Sequence, residues 1–88
     1  MTMLAALVDG VIGVDTHRDT LTAAAVNHLG GVLAHTTSAD AAGYQQLLGF
    51  ADHYLCGRRC WAVEGAGSFG AGLTAMLQQH GERVVEVG

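Results

Sequence analysis

Two short apolar runs, far apart in the chain, each stop at an acid. Val11-Ile12-Gly13-Val14 gives way to Asp15, and Trp61-Ala62-Val63 gives way to Glu64. An unbroken apolar run of this length, rich in β-branched or aromatic residues, suits a strand buried in the middle of a sheet. A helical crossover between two such strands lays them parallel. If the second returns beside the first, both acids arrive at the same edge, where open α/β sheets bind their ligands. Few arrangements meet that condition.

The remaining segments fill in the order. After Asp15, the stretch Thr16-His17-Arg18-Asp19-Thr20 is polar and turn-like, and Leu21 to Val26 is apolar again. Gly30-Gly31 marks a turn needing positive φ, and Val32 to Thr37 reads as a third strand, so the chain opens with an antiparallel meander. Ser38 is placed to cap a helix on which Tyr44, Leu47, Leu48, Ala51 and Leu55 share a face, with Gly57 just past its end. Cys60 to Val63 is a fourth strand. A second helix begins near Ser68 with Phe69, Leu73, Met76 and Leu77 on one face, Gly81 ends it, and Arg83 to Val87 is a fifth strand. The predicted order is β-β-β-α-β-α-β, a single α/β domain over residues 1–88.

Composition narrows the partners. The chain has 88 residues, half of them hydrophobic and only 14% charged, which argues against disorder. Its apolar runs are too short to span a membrane, and MTMLAALVDG carries no basic residue before its apolar stretch, unlike a secretory signal. A cytoplasmic location is expected. With a net charge of −4 and four arginines as the only Lys or Arg, the chain has little with which to grip phosphates. Contact with DNA would have to rest on an acidic, metal-dependent centre. Cys56 and Cys60 are separated by three residues without a second ligand pair beside them, so they are read as free thiols.

Asp15 and Glu64 are the candidate site. Magnesium takes hard oxygen ligands, often one or two carboxylates together with substrate phosphates. Each acid also has a plainer reading: Asp15 as a turn residue accepting backbone N–H groups, Glu64 as a charge facing a helix N-terminus. His17 is read as a turn residue or as a neighbour of the acid. Gly65-Ala66-Gly67-Ser68-Phe69-Gly70 also matches the G-x-G-x-x-G pattern of dinucleotide sites, with Glu86 near the position of the ribose-binding acid. That would make a small nucleotide-binding module, but the glycines follow a meander and a helix rather than a first strand. An actin-like ATPase reading lacks glycines in the Asp15–Thr20 turn.

The residues Val11 to Thr20 and Trp61 to Gly70 closely resemble the N-terminal domain of a bacterial transposase family, the DEDD insertion-sequence transposases of the IS-one-ten type. Thr37 to Tyr44 and Gly81 to Val87 also fit the family's run, so the similarity spans most of the chain from Val11 onward. Arg18, Ala66 and Phe69 depart from the Lys, Thr and Tyr frequent at those places. The resemblance implies a RuvC-like, ribonuclease-H-like catalytic domain. Asp15 and Glu64 would be the first two acids of a tetrad that binds Mg²⁺ (or Mn²⁺) to cut and join DNA strands. It further implies that the other two acids and a nucleophilic serine lie beyond Gly88. The chain would thus be the truncated N-terminal portion of such an enzyme, inactive alone. DNA, a guide (bridge) RNA and a homo-oligomer are the implied partners of the complete protein. A non-catalytic remnant that keeps its acids idle is the remaining alternative.

Overall fold

The computed structural model describes residues 9–17, 20–38, 43–65 and 70–87. Among these residues five strands and two helices follow one another as β1 (Gly10–Thr16), β2 (Leu21–Asn27), β3 (Val32–Ser38), α1 (Gly43–Tyr54), β4 (Arg59–Glu64), α2 (Ala71–Gln79) and β5 (Arg83–Val87). The chain order matches the predicted one. In space the strands lie β3-β2-β1-β4-β5. The first three form an antiparallel meander, and β4 and β5 run parallel to β1. The protein is therefore α/β, with a mixed five-stranded sheet.

Both helices pack on one face of the sheet. Ile12, Val14, Leu21, Ala23, Ala25, Trp61 and Val63 form one cluster with Leu47, Ala51 and Leu55 from the first helix and its exit, and with Leu73 and Leu77 from α2. The three- and four-residue steps picked out on α1 are the ones it buries, with Tyr44 and Leu48 flanking. Full burial of a side chain such as Leu47 contributes roughly 1.5–3 kcal/mol. Where α2 ends, Gly81 has φ +78, and its N–H donates to Gln78 O while Glu82 N–H donates to Leu77 O. This is the paired closure of a Schellman ending, which a residue with a Cβ would adopt only under strain.

Several expectations need correction. The run from Val11 to Val14 is central but buried on one side only: Ile12 and Val14 face the helices, while Val11 and Gly13 are half-buried on the other face. The strand also continues to Thr16, so Asp15 lies inside it, paired with Thr22, rather than beyond its end. Ser38 is the last residue of β3, and the stretch between it and Gly43, where α1 is first described, lies outside the described residues. Of Gly30-Gly31, only Gly30 has positive φ. The first helix stops at Tyr54, three residues before Gly57, and Arg59 Nη1 donates to the Leu55 carbonyl at its exit. Arg18, Asp19, Ser68 and Phe69 lie outside the described residues. Among those described, no helix is long and apolar enough to cross a membrane.

Candidate functional site

The parallel register between β1 and β4 pairs Val14 with Val63, so Asp15 and Glu64 come next on their strands, side by side. Adjacent strands lie about 4.8 Å apart. Val14 and Val63 point into the helix-covered core, and by alternation the two acids point to the opposite, open face. There they stand at the rim of a depression of about 300 Å³, with Gly13, Ala24 and Ala62 as its floor and Thr22 and Val87 beside the acids. A methyl group built on Gly13 would meet nothing within 4 Å, so the floor is open at its middle.

The edge is held in register from beneath. The Thr16 hydroxyl, on the buried side of the same strand end, donates to the Glu64 carbonyl at 2.6 Å. This bond ties the end of β1 to the end of β4 across the seam that separates the two acids. Beyond it, His17 N–H donates to Thr20 O at 2.9 Å and closes the connection to β2, while His17 Nε2 lies 3.3 Å from Asp15 Oδ2. His17 thus serves both as the turn residue and as the acid's neighbour. Both side chains are more than half exposed, so this contact orients Asp15 more than it stabilises the fold.

Asp15 meets the ring of His17, whose backbone N–H is taken by Thr20 O. The Glu64 carbonyl lies beside Gly70, the N-cap position of α2, so this acid also stands close to the helix N-terminus. The glycines after Glu64 have local duties. Gly65 takes φ +70 directly after the strand, and Gly70 N–H returns to Gly65 O at 2.8 Å. A Cβ on Gly70 would come within 2.9 Å of Val63 Cγ1 and 3.0 Å of Gly65 O. The first and third glycines of the G-x-G-x-x-G match are thus accounted for by a tight strand-to-helix turn, while Gly67 lies outside the described residues. Glu86 sits on the edge strand in register with Val63, on the face opposite the two acids.

Two adjacent carboxylates reachable from solvent are a donor set that suits a hard divalent cation such as Mg²⁺ or Mn²⁺. They are an incomplete one: among the described residues no group of three or more His, Cys, Asp or Glu is gathered that could hold a metal ion.

A second cluster, absent from the sequence reading, lies at the other end of the parallel strands. The Arg59 guanidinium grips Glu82 with two hydrogen bonds, 3.0 Å from Nε and 2.9 Å from Nη2. Its Nη1 reaches Asp52 at 2.8 Å, and Trp61 Nε1 donates to Glu82 at 2.8 Å. Burial alone would push the Glu82 carboxyl up. The hydrogen bonds from Arg59 and Trp61, with the guanidinium charge, outweigh it and hold Glu82 below the ordinary glutamate range. Burial likewise works against the Arg59 charge, and the two carboxylates more than restore it. Beside this network Cys56 is exposed and Cys60 buried, both free thiols as expected. Burial pushes the Cys60 thiol up despite nearby Arg83, favouring the thiol over the thiolate. The only signals in the sequence were an Arg pair leading into β4 and a Glu-Arg pair leading into β5. Nothing in their spacing says that they meet.

No protein-family model matches the chain, and no curated protein matches it in sequence.

Proposed function

We propose that the chain is the N-terminal part of a RuvC-like, ribonuclease-H-like catalytic domain of a DEDD insertion-sequence transposase. Asp15 and Glu64 would then supply half of the acids that hold a divalent metal for DNA strand cutting and joining. The observation that carries this reading is the placement of the two acids, at the carboxyl ends of adjacent parallel strands, on one open face. The finer fold assignment is supported by three antiparallel strands followed by two helix-connected parallel ones. When bound, the metal supplies charge neutralisation for the phosphodiester and lowers the cost of developing charge on the attacking and leaving oxygens. The chain's own part is to present two carboxylates in fixed register, with Thr16 locking the strand ends and His17 orienting Asp15. The guide RNA, the homo-oligomer and a cytoplasmic setting belong to the same proposal for the complete protein.

Titration of the purified chain with Mn²⁺, followed by calorimetry and by paramagnetic broadening of the Asp15 and Glu64 resonances, tests it. Saturable binding that is lost in both Asp15→Asn and Glu64→Gln is the expected outcome. Equal binding by the parent and both variants would sink the assignment of these two residues. With half the tetrad, the chain alone is expected not to cleave junction DNA in Mg²⁺; cleavage above background would overturn that expectation.

A further inference from the structure

A second depression among the described residues, about 410 Å³, is not at the acids. It lies roughly 17 Å away along β4, between the loop that leaves α1 and the loop that leaves α2. Arg58, Arg59 and Arg83 all line it, together with Asp52, Glu82 and the exposed Cys56. A chain of net charge −4, with four Lys or Arg in all, therefore places three of them in one hollow against two carboxylates. The lining itself carries three guanidinium groups and two carboxylates, and Asp9 sits at its border against Gly57 and the Arg58 backbone.

The three arginines are not equivalent. Arg59 is committed: four hydrogen bonds to Glu82, Asp52 and the Leu55 carbonyl make it part of the wall. The guanidinium groups of Arg58 and Arg83 have no carboxylate partner among the described residues, although the chain has eight acids to four cations. Even Asp9, the nearest spare acid, takes the backbone N–H of Arg58 and not its guanidinium. Near the end of α2 the Met76, Leu77 and Gln78 carbonyls accept from His80, Gly81 and Glu82 N–H groups, and beyond α1 Leu55 O accepts from Arg59. Arg58 and Arg83 therefore bring to the hollow's lining two guanidinium groups with no carboxylate partner among the described residues, and such a planar fork matches the oxygens of a phosphate.

We infer that this hollow is a phosphate-binding site in which Arg58 and Arg83 hold the anion and Arg59 shapes the wall. It does not depend on the transposase reading, since neither Asp15 nor Glu64 contributes. The phosphate is either carried by a nucleic-acid backbone or free in solution, and the site chemistry is the same for both.

Cys56 provides a reporter inside the hollow, while buried Cys60 stays silent. The rate of Cys56 alkylation by iodoacetamide, measured at constant ionic strength with increasing inorganic phosphate, should fall saturably. Arg58→Gln and Arg83→Gln, both exposed and outside the core, should each weaken the half-protecting phosphate concentration by about tenfold. Asp15→Asn should leave it unchanged, which separates failure here from failure at the acids. A short single-stranded oligonucleotide that protects Cys56 at lower concentration than phosphate identifies a nucleic-acid backbone as the source; one that protects no better identifies the free anion. An alkylation rate indifferent to both, or protection that survives both arginine substitutions, overturns the inference.

Discussion

Glu82 is an acid kept ionised by its company. Its side chain is only 16% exposed, yet a bidentate arginine and an indole N–H stabilise the carboxylate over the carboxylic acid. Glu82→Gln preserves shape and removes the charge, and is expected to cost about 2 kcal/mol of stability at neutral pH, read by urea unfolding. The sign of its pH dependence follows from the lowered value. The contribution is complete above the titration of an unfolded glutamate and is lost as pH falls through the folded value, so the parent and variant curves should converge in acid. A gap that stays constant into strong acid would contradict this account.

Among the secondary-structure elements, α1 rests on Leu47 and Ala51, both with no exposed surface. Leu47→Ala should cost about 3 kcal/mol by chemical denaturation, because the sheet beneath it cannot collapse into the void. A loss below about 1 kcal/mol would show that the helix relaxes freely onto β2 and β3. The elements themselves were largely legible in the chain: apolar runs ending at Asp15 and Glu64, a period of three and four on α1, and Gly81 as a stop. Their ends were not. Asp15 was read as lying just past a strand because polarity changes there, but Thr16 finds a carbonyl across the seam and carries the strand onward. The helix exit was misplaced because Arg59, not Gly57, satisfies the last carbonyl. The Arg59–Glu82–Trp61 network was invisible for a similar reason. Its members are brought together only by the register of β4 on β5, which pairs Cys60 with Arg83 and appears nowhere in local sequence.

The described residues form two layers, with helices on one face of the sheet and none of them covering the other. Among these residues the β5 strand pairs on one side only, is five residues long, and carries Val85 and Val87 about two-fifths exposed beside the charged Arg83 and Glu86. An exposed edge strand with apolar side chains is a template for pairing with another chain. Concentration-dependent self-association in sedimentation velocity is expected, and Val85→Lys should suppress it while leaving unfolding almost unchanged. A parent chain that sediments as a monomer at all concentrations would remove the prediction. The seam between β1 and β4 has a different consequence. Both are interior strands, so the seam parts only when the sheet comes apart, and a ligand bridging their ends binds the folded chain and not the unfolded one. Its binding free energy would pass undiminished into the folding equilibrium and raise the melting midpoint with ligand concentration. An anion between the two loops at the far end would act on the same equilibrium, by its own concentration and its own affinity for the folded chain.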